Sequence, residues 1–443
     1  MNTPIVDFLN EYAESGAARF HMPGHKGAYA GLGGCEKYDL TEITEYYDLY
    51  NESGMIAESE KNASYLFGSG ATFYSTEGSS QCIRAMLRLT DIFARRNGLP
   101  SRILACRNAH STFVTAAGLL GIDIDWIYGG SLLECTPDPA VIDSLLGKQK
   151  YAAVYVTSPD YLGNIADVRS VSGVCRSHGT LLIVDNAHGA YLRFADPDIH
   201  PLTLGADICC DSAHKTLPVL TGGAYLHISK SRPELIPCAK RALALFGSTS
   251  PSHLILRSLD DANRRLDGDL PVLIEKCCSR TGAAKEILKK AGYGVCGNEP
   301  MKLTLAPKPY GYTGEELAAI LRRKNIYCEF ADRDCIVFMP SPSSGKGDRG
   351  LLLDTLLSLP KKEPIAETPP GVHTPERAMS IREALTAVSE ILPIERCIGR
   401  ICAEPTVSCP PAVPIAVCGE VIDEQTAGSF AYYGVDKCAV VAL

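Results

Sequence analysis

Apolar positions along the chain follow two spacings. Between about residues 65 and 230, short apolar runs recur: Arg102-Ile103-Leu104-Ala105-Cys106, Ile122-Asp123-Ile124-Asp125-Trp126-Ile127-Tyr128, Tyr151-Ala152-Ala153-Val154-Tyr155-Val156, Leu181-Leu182-Ile183-Val184, Ile208-Cys209-Cys210 and Gly223-Ala224-Tyr225-Leu226-His227-Ile228. Runs of this length and composition predict strands. Helical spacing lies between them. Cys82, Ala85, Met86, Leu89 and Phe93 fall at i, i+3, i+4, i+7 and i+11 and share one face, and Val168, Val171, Val174 and Cys175 form a second set. The alternation predicts an α/β fold with a mostly parallel sheet covered by helices.

Outside this region the pattern changes. Residues 1–40 are rich in Gly and Tyr, with little periodicity after Phe8-Leu9-Asn10-Glu11-Tyr12, and are expected to form an arm. From about 250 to 292 the chain is helical again, and the charged set Asp260, Asp261, Arg264 and Arg265 suits one long connecting helix closing a large domain over 41–290. Lys302-Leu303-Thr304-Leu305 and Cys335-Ile336-Val337-Phe338-Met339 read as strands flanking a helix at Gly314–Leu321, a small α+β domain over 291–360. Pro360 to Glu376 holds five prolines and predicts a linker into a C-terminal domain over 361–443. There Ser380-Ile381-Arg382-Glu383 is a capping box opening a helix with the apolar face Ile381, Ala384, Leu385, Val388 and Ile391, and Cys409 to Pro414 reads as a proline-rich tail.

The 46% apolar content of the 443 residues supplies ample core, and the net charge of −8 with no basic run argues against nucleic acid as a partner. The first residues lack a signal pattern and no stretch reaches membrane-spanning length, so the expected setting is cytoplasmic. The 18 cysteines contain no Cys-x-x-Cys pair and many sit in apolar strands, which predicts reduced, buried thiols; no metal site is expected. Ser343-Ser344-Gly345-Lys346-Gly347 is not a nucleotide loop, because Pro340 replaces the first glycine and Gly347 the Ser or Thr that would bind magnesium.

Chemistry concentrates at two strand ends. Leu181–Val184 runs into Asp185-Asn186-Ala187-His188, and Ile208–Cys210 runs through Asp211 into Ser212-Ala213-His214-Lys215. In an open α/β sheet, ligands bind beyond the carboxyl ends of strands. A carboxylate at one such end and a lysine beyond the next can face one pyridoxal 5'-phosphate: Asp185 keeps the pyridine nitrogen protonated and Lys215 holds the aldehyde as a Schiff base. Either motif alone is more often a turn, a helix cap or a surface segment, and it is the pair that points to the cofactor. Gly78-Ser79-Ser80, between a β-like run and the helix of Cys82, can meet a phosphate at a helix N-terminus.

Taken with these sites, His21-Met22-Pro23-Gly24-His25-Lys26-Gly27, Ile381-Arg382-Glu383-Ala384 and Pro410-Pro411 make the chain resemble the Orn/Lys/Arg decarboxylases in a short form without the N-terminal wing. The resemblance spans nearly the whole length. It implies an aspartate-aminotransferase-like fold (fold type I) with a smaller α+β C-terminal region, and decarboxylation of arginine, lysine or ornithine. It further implies that Lys215 is the Schiff-base lysine, that Asp185 partners the ring nitrogen, and that His110, in Arg107-Asn108-Ala109-His110, stacks on the ring. Ala187 lies under the ring, with His188 beside it in the same motif. Gly78, Ser79, Ser80 and Ser212 hold the phosphate, and His214 contacts phosphate or returns a proton. Thr249, in Thr249-Ser250-Pro251-Ser252, and the arm at His21–Gly27 reach a second subunit, so a closed homodimer with shared sites is implied. Glu420, in the C-terminal motif, is the candidate carboxylate for the substrate's distal cation.

Some positions depart from the family pattern. Asn186 stands where an acidic residue is common, Thr76-Glu77-Gly78-Ser79-Ser80 is an unusual phosphate loop, Tyr46-Tyr47-Asp48-Leu49-Tyr50 replaces a more acidic run, and Cys418 replaces a usual Pro. The rival readings are another fold-type-I pyridoxal enzyme, performing acyl transfer, aminotransfer or β-elimination, and a catalytically weak regulatory paralogue.

Overall fold

The computed structural model describes residues 1–28, 31, 33–41, 48–408 and 413–442. Tyr46 and Tyr47 of the atypical run, and Cys409 to Ala412 with the Pro410-Pro411 pair, lie outside the described residues.

The expected runs form strands β1 (Ala71–Ser75), β2 (Arg102–Cys106), β3 (Asp123–Ile127), β4 (Ala153–Thr157), β5 (Leu181–Asp185), β6 (Ile208–Asp211) and β7 (Ala224–Ile228), in a seven-stranded sheet of order β1-β7-β6-β5-β4-β2-β3. Parallel pairing joins β2 to β3 and β4, and β5 to β6, whereas β7 is antiparallel to both β6 and β1. The fold is α/β with a mostly parallel sheet. Because β1 and β6 both oppose β7, their carboxyl ends share one edge, with Ser75 opposite Ala224 and Asp211 opposite Tyr225. The chain divides into two compact units, Met1–Gly98 with Val168–Ile274, and Leu99–Asp167 with Glu275–Leu443.

In the first unit, the helix Gly78–Asn97 buries Cys82, Ala85, Met86, Leu89 and Phe93, the predicted stripe. The amino-terminal stretch is more ordered than its weak periodicity suggests, since Pro4–Glu14 is a helix with Ile5 and Leu9 buried. Its first N–H groups explain this: those of Ile5 and Val6 donate to Asp260 Oδ2 at 2.9 and 3.0 Å. A carboxylate at a helix N-terminus satisfies orphan donors and opposes the helix dipole. Asp260 is therefore buried and not part of a solvated charged face, and burial pushes its carboxyl up to about 6. The expected single connecting helix is two, His253–Leu266 and Leu270–Ala291, interrupted at Asp267-Gly268-Asp269.

In the second unit, β8 (Gly294–Cys296), β9 (Leu303–Ala306), β10 (Phe330–Ala331) and β11 (Ile336–Phe338) form an antiparallel sheet of order β10-β11-β9-β8. The helix Gly314–Arg322, opened by a capping box from Thr313 and Glu316, contributes Leu317 and Leu321 to a core shared with Leu303, Leu305 and Ile336. Residues 360–376 carry no regular structure. Ser380 and Glu383 form the predicted capping box, but the helix Ile381–Thr386 is short. Val388 and Ile391 do not extend its buried face. Both are exposed, and Ile391 lies in β12 (Ser389–Pro393), which pairs with β15 (Lys437–Val441). Backbone pairing with a strand distant in sequence overrode the helical spacing. The segment expected as a tail leads into β14 (Pro414–Val417), paired with β13 (Thr406–Ser408).

Candidate active site

In the first unit the carboxyl ends of β1, β5 and β6 bring most of the predicted residues to one edge. Asp185 ends β5 and is buried, its Oδ1 accepting from the Ala187 N–H at 3.1 Å and from the Cys210 thiol at 3.7 Å. Asn186 N–H donates to the Cys210 carbonyl at 3.0 Å and so continues the β5–β6 ladder past the strand end. Beyond β6, Lys215 lies in a short helical turn, Ala213–Thr216, with Nζ 3.1 Å from His188 Nε2. His214 Nδ1 meets the Gly223 carbonyl at 3.0 Å, which makes Nδ1 the protonated nitrogen. Its pKa is lowered by burial first and by Lys215 next, against the raising effect of the Gly223 carbonyl.

The start of the helix Gly78–Asn97 fits a phosphate. No side chain caps this helix, and the hydroxyls of Ser79 and Ser212 meet at 2.8 Å beside its N-terminus. Gly78 takes a left-handed φ of +71° and nothing lies within 4 Å of where a Cβ would project. A helix N-terminus, paired hydroxyls and open space form an anion cradle. Gly78, Ser79, Ser80 and Ser212 would hold a pyridoxal phosphate there, with Asp185 and Lys215 at the neighbouring strand ends. The cradle depends on a glycine the sequence did not single out. Gly222, at φ +98°, accepts from the Gly78 N–H at 2.7 Å, and a Cβ on it would stand 2.7 Å from the Thr76 carbonyl. Thr249 is exposed in a loop tethered to the same helix start, where the Ser248 N–H donates to Glu77 Oε1.

Asn186, the departure next to the cofactor aspartate, has a structural reason. It is buried, and its Nδ2 donates to Asp211 Oδ1 at 2.6 Å. Asp211 Oδ2 also accepts from His200 Nε2 at 3.0 Å and His227 Nε2 at 3.1 Å. A carboxylate at 186 would face a second one, whereas an amide donates to it. The two histidines hold the Asp211 carboxyl well below its ordinary range despite its burial. His200, Cys209 and Asp211 bring ligand-type atoms within 4.8 Å of one another, yet each His200 nitrogen is hydrogen-bonded, to Asp211 and to the Leu202 N–H. This is a hydrogen-bonded network.

The second unit holds His110 and Glu420. His110 caps the helix Ser111–Leu120, its Nδ1 accepting from the Thr112 N–H at 3.1 Å, and its side chain is exposed. Glu420, expected to meet the substrate's distal cation, is engaged within the second unit. It is 3% exposed and both its oxygens accept from Arg107, at 2.5 and 2.6 Å. Arg107 is the residue the sequence reading passed over. A lone arginine directly after a buried strand, three residues before His110, was the available signal.

A mostly parallel sheet with a lysine and an aspartate at neighbouring strand ends and an anion cradle at a helix start defines a pyridoxal-phosphate enzyme of fold type I. The chain belongs to the Orn/Lys/Arg decarboxylase family, matching its major domain over residues 3–128 and 140–296 and its C-terminal domain over 361–437. It is accordingly a pyridoxal-phosphate-dependent amino-acid decarboxylase. Arginine decarboxylase of Bacillus subtilis (strain 168) is 28% identical over 467 residues, covering 96% of this chain and 92% of that protein. Arginine decarboxylase of Halalkalibacterium halodurans is 28% identical over 465 residues, covering 96% and 91%. Among solved structures, lysine decarboxylase of Francisella novicida superposes with a TM-score of 0.77 at 17% identity, over 99% of this chain and 81% of that one. Serine palmitoyltransferase of Sphingomonas wittichii shares the fold at a TM-score of 0.54 and 14% identity, over 80% and 83%.

Proposed function

We propose that the protein decarboxylates a basic amino acid, with arginine tested first, to release CO2 and the corresponding di- or polyamine precursor. The observation that carries the reading is the edge shared by Asp185, Lys215 and the Ser79–Ser212 cradle within a decarboxylase-family chain. Two curated relatives bearing the name arginine decarboxylase support the substrate class.

When bound, pyridoxal phosphate supplies an electron sink for the pair left as the α-carboxylate departs. The residues divide the remaining work. Gly78, Ser79, Ser80 and Ser212 would hold the phosphate, Asp185 would partner the ring nitrogen, and Lys215 Nζ would carry the aldehyde. Ala187 and His188 would line the ring beside them, and the face the resemblance assigns to His110 would add no strong nucleophile. Lys215 or His214 then returns a proton to the α-carbon, and the lowered pKa of His214 keeps its imidazole neutral near pH 7, able to relay a proton without storing one. Thr249 and the arm at His21–Gly27 complete the site from the second subunit of a homodimer. The described cysteines, outside any disulfide and mostly buried, support a reducing, cytoplasmic setting. Among the described residues no helix is long and apolar enough to cross a membrane.

The test is mass-spectrometric detection of products after the purified protein receives pyridoxal phosphate and equimolar arginine, lysine and ornithine. Agmatine as the main product is expected; cadaverine or putrescine would reassign the substrate, and no amine from cofactor-loaded protein would overturn the reading. Lys215→Ala should abolish both turnover and the visible absorption of the anchored cofactor.

A further inference from the structure

Within the first unit, the turn that follows the cofactor aspartate is held by a buried acid on the other face of the sheet. Asp185 stands in register with Cys210 across β5 and β6, and its carboxylate lies on the side of the Cys210 thiol. Alternation along the strands puts the next residues, Asn186 and Asp211, on the opposite face. There Asn186 Nδ2 donates to Asp211 Oδ1 at 2.6 Å. The Asn186 backbone is held as well, its N–H donating to the Cys210 carbonyl at 3.0 Å and its carbonyl accepting from the Gly189 N–H at 2.8 Å.

Asp211 is fully buried and solvated by neutral donors. The Leu202 N–H donates to His200 Nδ1, so that ring carries its proton on Nε2, which donates to Asp211 Oδ2 at 3.0 Å. His227 Nε2 meets the same oxygen at 3.1 Å, while its Nδ1 meets the Thr72 hydroxyl at 2.8 Å. With Oδ2 held by two rings, Oδ1 is aimed at Asn186. The amide at 186 works in one direction: its own Oδ1 is buried without a partner, and turning the amide over would set that oxygen against the Asp211 carboxylate. Gly189 leaves the room for it, since a Cβ there would stand 2.0 Å from Asn186 Oδ1. An unpaired buried oxygen costs stability, which a residue selected for stability alone would avoid.

The turn held in this way carries site residues. The Ala187 N–H donates to Asp185 Oδ1 at 3.1 Å, and His188 Nε2 lies 3.1 Å from Lys215 Nζ. We propose that Asp211 is a positioning residue that acts through Asn186, holding the turn at residues 185–189 so that the Asp185 carboxylate and His188 meet the cofactor in one orientation. The turn requires the bond and not the location of the charge, so a carboxylate at 186 serves as well once residue 211 is the donor. This rests on Asp185 partnering the ring nitrogen, as proposed above.

The test compares the cofactor-loaded wild type with Asn186→Leu, Asn186→Asp, the exchanged pair Asn186→Asp/Asp211→Asn, and Asp185→Asn. The readouts are visible circular dichroism of the bound cofactor, cofactor titration, and thermal melting of the cofactor-free protein, with spectra taken well below each melting point. Leucine matches asparagine in shape and removes the donor; if that variant does not fold, Asn186→Ala replaces it with the same expectation. Both single changes at 186 should alter the dichroic band and weaken cofactor binding about tenfold or more, as for a site group moved from its productive geometry. In the exchanged pair the amide at 211 donates to the carboxylate at 186 and keeps its oxygen toward the two histidines, so the wild-type band should return with an affinity within about twofold. An exchanged pair that regains neither band nor affinity, whatever its melting temperature, would overturn the proposal. So would an unchanged band in the single variants while Asp185→Asn alters it. If Asp185→Asn leaves band and affinity unchanged, the reading of Asp185 fails first, and this role with it.

Discussion

His214 shows how a site residue's chemistry is set by a few neighbours. Burial and then the charge of Lys215 lower its pKa, and the Gly223 carbonyl opposes them by holding the Nδ1 proton. In an NMR titration of the cofactor-free protein, His214 should therefore titrate below the ordinary value of 6.5, and Lys215→Met should raise its midpoint by removing a like charge. A midpoint at or above 6.5 in the wild type would mean that burial does not govern this ring. Asn186 gives a second test at this scale. Asn186→Asp places a carboxyl against Asp211 in a fully buried position, and the cost should be about 3 kcal/mol or more of stability, read by urea denaturation near pH 7. The placement of Asp185 and Lys215 at neighbouring strand ends was legible because Asp185 closes β5 and Lys215 lies in the turn just beyond β6. The pairing of Glu420 was not, because Arg107 lies 313 positions away in sequence and no local pattern joins them.

At the scale of elements, the helix Gly78–Asn97 carries both core and chemistry. Its apolar stripe was readable from spacing alone, since every member faces the same side of one helix. Its uncapped start was not, for the cradle needs Ser212 from beyond β6 and the Gly222 carbonyl from the turn before β7. Ser79→Ala should weaken pyridoxal phosphate binding about tenfold, as expected for one lost hydrogen bond to a charged group of about 1.5 kcal/mol, measured by cofactor titration. An unchanged affinity would remove Ser79 from the cradle. The short helix Ile381–Thr386 shows the opposite limit. Its capping box was legible, but its end was not, because the residues after Thr386 gain backbone partners in β15 that lie about fifty positions downstream.

For the whole molecule, the arm and the Thr249 loop bear on assembly. Phe20 and Met22 are exposed, 95% and 63%, beside the His21–Gly27 motif. Large apolar side chains left in water at a functional motif suit burial against another surface. Sedimentation velocity of the loaded protein should accordingly give a dimer, with activity falling on dilution below its dissociation range; a fully active monomer would dismiss shared sites. The sequence by itself determined the alternation of strands and helices, the stripe of the Cys82 helix, the Ser380–Glu383 capping box and the Asp185 and Lys215 strand ends, because each depends on spacings of a few residues within one element. Tertiary structure alone decided that Asp260 caps the amino-terminal helix, that Asn186 serves Asp211, and that Glu420 belongs to Arg107. In each case a charged or polar group takes its meaning from a buried partner distant along the chain, and burial without that partner would be too costly to persist.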